Sequence, residues 1–496
     1  MTSERQRRAL EGMKKIMKTT TTTRPSSALR RLAPRILPLV AALVLAGCAD
    51  LKTIEPQAAP AAPAAYKEVD GRWTQAKPAE AQARGEWWKA FGDPVLDDLV
   101  ARADRNSTSV QLAAARLSQA RALLRSANAD RMPQVGVSAG ASRGNLNNTP
   151  GDLTPGNVFS AGANVAWEAD VFGRLAKASR AAALDAQASE ALLQSTRLLV
   201  QSDAAQTYFT LRALDAERAL VRQSVEAYRD TLRLTERRYQ AGDVAELDLA
   251  RVKAEVASTE AQALALDRSR AQAEHALAVL LGEPASQFSL AGAADGDWTG
   301  ALPIVPPGVP STLLTRRPDV AAAQSSMLAA QQRVGVAQAA WFPDLSLTAN
   351  GGFASSELGD LFKWSARSWG IGALLSLPVF DGGRRAAGVQ GANAQWDAAA
   401  ASYREQVLVA FKDVEDQLSA LRLLTDQANV QAQAVDAASR ASVLSTTRYR
   451  NGYVSQLEVL DARRSELANR RQALQVRAAQ YQATVGLIRA LGGGWG

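Results

Sequence analysis

Residues 448–467, RYRNGYVSQLEVLDARRSEL, return 210 positions earlier as residues 238–256, RYQAGDVAELDLARVKAEV. Tyr239 answers Tyr449, Gly242 answers Gly452 and Leu247 answers Leu457. In both copies a tyrosine closes a long polar stretch free of proline. A glycine then offers the left-handed conformation favoured past a helix end, and a second helical stretch follows. Each copy reads as the tip of a helical hairpin.

Outward from the first tip, residues 174–240 contain no proline, and Leu192, Leu199, Ala213, Leu220, Ala227 and Leu234 form a seven-residue ladder with Gln206 as its polar rung. At 1.5 Å per residue such a helix is a rod of about 100 Å, roughly three hydrocarbon thicknesses. One narrow apolar seam on so long a rod requires packing against neighbouring helices. A returning helix is expected over 244–281. Around the second tip the pattern recurs: a long helix on Val407, Val414, Leu421, Ala428 and Val435 runs to Tyr449, and a returning helix carries Leu460, Leu467, Leu474, Tyr481 and Ile488.

Each hairpin is preceded by a shorter helix and two stretches of period two. The first helix, Asn106 to Arg131, ends at Met132-Pro133, and the second, opened by Arg316-Arg317-Pro318-Asp319-Val320, ends at Phe342-Pro343. Val135, Val137, Ala139 and Ala141 alternate with Gly and Ser over 134–142. Phe159, Ala161, Ala163, Val165, Trp167, Ala169 and Val171 alternate over 159–171, opposed by a face that includes Glu168 and Asp170. A third strand is expected at 344–353, with Asp344 on its polar face, and a fourth at 368–379. The loops between strands are 144–157 and 354–367. Each strand is long enough to cross a membrane when tilted. Four such strands cannot close a barrel, and open edges in hydrocarbon leave backbone groups unpaired. Closure therefore needs identical copies, and a trimer, with three sets of four strands, leaves an aqueous lumen.

The basic balance is local. Residues 1–47 hold ten of the 57 Lys/Arg and two of the 49 Asp/Glu, leaving 47 of each sign, which argues against nucleic-acid binding. The same segment has a basic region followed by an apolar run from Ile36 to Ala46, too short to span a bilayer and of signal-peptide length. It ends Leu45-Ala46-Gly47-Cys48, which resembles a bacterial lipoprotein box with Cys48 as the lipidated residue. In that resemblance Ala49 implies outer-membrane delivery. Ala/Pro-rich residues 51–65 read as an extended tether, and the Trp87-Trp88-Lys89-Ala90-Phe91 cluster as a patch docking on the main body. One Cys and one His, His275 in mid-helix, leave little for metal, redox or triad chemistry, so no cofactor is expected beyond the lipid. The expected divisions are 1–47 signal peptide, 48–95 tether and docking segment, 96–282 first repeat, 283–310 connector, 311–491 second repeat and 492–496 tail.

The order of signal, Cys48, WWKAFGDPVLDDLV, two strands, hairpin, RRPDV, VGVAQAAWFPDLSL, two strands, PVFDGGRR, hairpin and ALGGGW resembles the TolC-like outer-membrane efflux channels, in their lipoprotein, NodT-type branch. The resemblance implies a mixed α and β membrane protein: a homotrimer with a twelve-stranded β-barrel in the outer membrane, continued by a twelve-helix α-barrel across the periplasm. It implies as partners a periplasmic adaptor (membrane fusion protein) and an inner-membrane pump, usually of the resistance-nodulation-division type. It also implies a gate at the second tip, with Leu457 as an apolar ring, Asp461 and Glu458 as acids, and Arg464 bridging Asp461 of a neighbouring copy. Gly242, Asp243 and Val244 at one tip and Gly452, Tyr453 and Val454 at the other are candidates for adaptor contact, a role that capping alone would equally explain. The rivals are a type I secretion outlet for polypeptides and a lipid-anchored periplasmic coiled-coil protein with no pore.

Overall fold

The structure, a computed structural model, describes residues 62–63, 65–68, 85–145, 155–292, 298, 302–305 and 316–493. The leader, Cys48, most of the tether, the middle of the first loop, most of the connector and the last three residues lie outside the described residues. Ala58–Gly496 forms one compact unit.

Its elements are α1 (Pro94–Asn106), α2 (Thr108–Ala129), β1 (Gln134–Asn145), β2 (Pro155–Ala169), α3 (Arg174–Gln240), α4 (Glu246–Leu280), α5 (Pro318–Ala339), β3 (Asp344–Ser355), β4 (Arg367–Ser376), α6 (Arg384–Arg450) and α7 (Gln456–Ala490). The helix and strand pairs α2 and α5, β1 and β3, α3 and α6, and α4 and α7 have equal lengths and begin 210 residues apart. The helix expected over Asn106 to Arg131 is α2, and Ser107, which leaves the helical region (φ −58°, ψ 127°), separates it from α1 before it. The fourth strand stops at Ser376, short of the expected Val379, since Pro378 cannot donate to a ladder. The second begins earlier than expected, at Pro155, and ends at Ala169, where the chain turns on a Val171 N–H donated to the Ala169 carbonyl (2.8 Å).

The four strands make one antiparallel sheet in the order β1-β2-β3-β4, leaving β1 and β4 as edges. The register aligns the apolar positions across all four: Val135 faces Val165, Val165 faces Ala349 and Ala349 faces Ile371. Val135, Val137, Trp369 and Ile371 are all more than 70% exposed, so the apolar face of the two edge strands is uncovered by the described residues. The opposite face is small and neutral along most of its length, with Gly136, Asn164, Asn350 and Gly370 in one row. Gly162 faces Gly352, and a Cβ on Gly352 would stand 2.6 Å from the Gly162 Cα. Neither position has room for a side chain on the polar face, which is where the two strands approach most closely. The acids at the helical end of that face are engaged: Glu168 receives a fork from Arg174 (2.6 and 2.7 Å), and Asp170 accepts from the Leu175 and Ala176 N–H groups at the start of α3.

The core lies where the docking segment, the short helices and the middle of the long rods meet. Trp87, Trp88 and Phe91 are buried there, with Phe91 4.9 Å from Phe209, Phe209 4.7 Å from Tyr481 and Trp298 4.4 Å from Tyr481. Asp93 caps α1 through the Val95 and Leu96 N–H groups, and its second oxygen accepts from the Tyr208 hydroxyl at 2.5 Å. Arg317 of the RRPDV stretch forks onto Asp319 and donates to Asp413 on α6 (3.0 Å) and to the Ala490 carbonyl at the end of α7 (3.3 Å). Further along α6, the side chain of Glu415 accepts from the Lys67 and Glu68 backbone N–H groups, so the tether is clipped to this helix.

The expected ladder on α3 is displaced by one residue. Leu192, Leu199 and Leu234 are about half exposed, whereas Leu193, Val200, Val221, Tyr228 and Thr235 are buried. A tyrosine and a threonine hold the seam, which a reading by apolarity alone passes over in favour of the leucines beside them. On α6 the expected Val407, Val414 and Leu421 are buried.

The hairpin tips as candidate functional site

The two tips close in the same way. The Gly242 N–H donates to the Tyr239 carbonyl (3.0 Å) and Asp243 to Arg238 (2.8 Å), while Gly452 donates to Tyr449 (3.0 Å) and Tyr453 to Arg448 (2.9 Å). Gly242 and Gly452 have φ of 77° and 74°, a region where a side chain is strained. This double bond to the last turn satisfies carbonyls that a helix end otherwise leaves unpaired. Ser455 then caps α7 by accepting from the Glu458 N–H (3.4 Å), whereas α4 starts behind Ala245, which has no side-chain cap. Asp243, Gly452 and Tyr453 are exposed and Val244 and Val454 half-buried, so the first tip presents an acid and the second an aromatic ring outward.

Behind the tips, Tyr228 on α3, Val252 and Val256 on α4 and Leu460 on α7 make a separate apolar cluster that joins the hairpins. Polar contacts run along its flank. Gln456 donates to Thr235 (2.6 Å), Arg238 to the Tyr449 hydroxyl (2.8 Å), and Arg463 to the Thr231 hydroxyl (3.0 Å) and the Ala227 carbonyl (3.3 Å). Farther from the tip, Arg471 donates to Glu217 (2.7 Å) and Gln262 (3.0 Å). The second returning helix is thereby laced to both helices of the first hairpin.

Of the four expected gate residues, Leu457, Glu458 and Asp461 are exposed, and Glu458 lies 3.8 Å from Arg448. Arg464 lies 3.4 Å from Asp461, but its Nε reaches Glu255 of α4 at 2.6 Å and its terminal nitrogen is closer still to the same carboxylate. That bond raises the Arg464 guanidinium above its ordinary pKa. Within one chain Arg464 therefore ties the second hairpin to the first. Glu255 is buried on the seam of Val252 and Val256, and an acid at such a position needs a cation to stay charged. That signal was present in the sequence; the identity of the partner was not. Beside it, burial pushes the Tyr228 hydroxyl up to about 12, with Glu255 adding to the rise. Among the described residues no group of three or more His, Cys, Asp or Glu is placed to hold a metal ion, and no helix is long and apolar enough to cross a membrane.

The family model described as "outer membrane efflux protein" matches residues 99–283 and again 309–493, two segments offset by 210. The chain is 35% identical to the pyoverdine export outer membrane protein OpmQ of Pseudomonas aeruginosa, over 92% of this chain and 97% of that protein. It is 33% identical to the solvent efflux pump outer membrane protein SrpC of Pseudomonas putida, over 92% and 98%. Its fold is similar to the crystal structure of the Campylobacter jejuni CmeC outer membrane channel, with a TM-score of 0.82, 26% identity and coverage of 90% of this chain and 94% of that one.

Proposed function

The chain belongs to the outer membrane efflux protein family, and on that premise we propose that three copies close one β-barrel and one helical tunnel, gated where the second hairpins converge. The family is one of transport proteins, not of enzymes, and the chain is an outer-membrane efflux channel. The observation that carries the trimer is the sheet itself: two edges unpaired among the described residues, one face apolar along most of its length and one mostly small and neutral. Lipid covers the apolar face, and the edges β1 and β4 of successive copies pair, because unpaired backbone groups cost several kcal/mol each in hydrocarbon. The neutral face lines a water-filled passage whose acids are already engaged, so the barrel wall itself discriminates little by charge. Lipid on Cys48 holds the N-terminus at the membrane.

The rods continue the passage across the periplasm to the tips. There Leu457, Glu458 and Asp461, exposed in a single chain, converge around the axis. Arg464 has two carboxylates of its own chain within reach, Glu255 and Asp461, and in the trimer the acids of its neighbours compete for it. Opening requires the second hairpin to swing from the first, which breaks Arg464–Glu255 and the bonds of Arg463. A periplasmic adaptor that contacts the tips supplies the preference for the dilated state, and an inner-membrane pump drives and selects the cargo.

Single-channel recording of the detergent-extracted trimer in planar bilayers tests both levels. The wild type should conduct, in small closed-like steps, and the Asp461→Ala/Arg464→Ala protein should show a larger conductance. A protein that extracts in detergent but never conducts would sink the barrel; equal conductance of the two would sink the gate.

A further inference from the structure

The loop between β3 and β4 lies at the end of the sheet opposite the helices and folds into two short turns, Leu358–Asp360 and Trp364–Ala366. It buries Leu361 yet leaves Leu358, Phe362 and Trp364 exposed by 65%, 73% and 76%. Phe362 meets Phe353 edge-on at 5.7 Å, and Phe353 stands in the apolar row with Ala139 and Ala161. The loop thus extends the apolar face beyond the strand ends.

Arg367 belongs to the same row, opposite Phe353, with its guanidinium carbon 4.1 Å from the centre of the Trp364 ring. Two residues beyond Ala141, Arg143 falls on this face of the other edge strand, at the same end. The loop's other cation, Lys363, is paired with Asp360 at 2.6 Å; among the described residues no carboxylate pairs with Arg367 or Arg143. An arginine stacked on an indole keeps its edge of N–H donors free for a planar, two-toothed acceptor. Aromatic side chains at strand ends mark the headgroup level of a barrel.

We propose that Arg367, stacked on Trp364, is a binding site for the phosphate of a lipid headgroup in the outer leaflet, with Leu358, Phe362 and Trp364 as the shelf for its acyl chains. The site rests on the reading that the apolar face meets lipid. Arg143 supplies a second cation on the opposite edge, which the next copy brings toward β4 once the barrel closes.

The test uses the full-length trimer in mild detergent, offered lipid A, its dephosphorylated form, or inorganic phosphate, with bound lipid read by native mass spectrometry. Lipid A should be retained, the dephosphorylated form on the order of tenfold less, and inorganic phosphate should not compete at matched concentration. Arg367→Gln should lose that same factor and Arg367→Lys only part of it, since a lysine is a point charge without the fork. Equal retention of both lipids, or Arg367→Gln binding like the wild type, would overturn the site. Competition by inorganic phosphate would make it an anion site and overturn the lipid. Wild-type conductance in planar bilayers separates these results from failure of the barrel itself: a conducting channel without phosphate preference rejects only the lipid site, whereas a chain that neither conducts nor retains lipid rejects both.

Discussion

The helices α3 and α6 have the same length, 67 residues, and opposite surroundings: 21 residues of α3 are buried and nine of α6. α3 is the spine of the chain, packed by α1, α2, α4, α5 and α7, whereas α6 is met chiefly by α5 and α7. On its open side α6 exposes Leu408, Leu423, Val430, Val443 and Leu444. The lesson is that duplicated sequence does not give duplicated environment. One copy of the rod is finished within the chain, and the other is an edge, like β1 and β4 at the sheet, that a second copy must complete.

That contrast can be broken most sharply by placing the same charge on each rod. Leu211→Asp, at a fully buried position of α3, should cost more than about 4 kcal/mol and abolish folding, seen as lost helical circular dichroism. Leu423→Asp on α6 should leave the single chain's helicity intact and stop assembly, seen as a monomer by size exclusion in detergent. Equal damage at the two positions would mean that α6 is no edge.

The contact between the hairpins gives a smaller effect. Arg464→Ala and Glu255→Ala, measured singly and together, should show a coupling of about 1 kcal/mol in unfolding free energy, reduced from a fully buried pair because Arg464 is half exposed. Additive effects would show that the two hairpins are not joined there.

The smallest change is expected at Tyr228, whose hydroxyl is buried near Glu255 with no hydrogen-bond partner among the described residues. Its pKa is raised to about 12 in the folded chain, so the folded state holds a proton that the unfolded state gives up near 10. Stability from this group is therefore intact below about pH 10 and falls as the pH climbs toward 12. Tyr228→Phe should leave stability unchanged or raise it by roughly half a kcal/mol at neutral pH and remove that alkaline loss, both readable from denaturant titrations.

What the sequence determined by itself was the order and kind of the elements. Period two against period 3.6, prolines at the ends of the short helices, and glycines at both tips fix strands, rods and turns through local sterics, and the 210-residue offset makes each half a check on the other. Docking of Trp87, Trp88 and Phe91 on the core was legible too, because large apolar side chains outside a helix pattern need somewhere to go. The seam of α3 was not: in an alanine-rich rod surrounded on several sides, burial depends on which neighbours arrive, and Tyr228 and Thr235 displaced the leucines beside them. Nor was the partner of Arg464. Its choice of Glu255, 209 residues away in sequence, follows from two hairpins lying side by side. Ion pairs across such a distance are set by the geometry of packed rods, which only the tertiary structure decides.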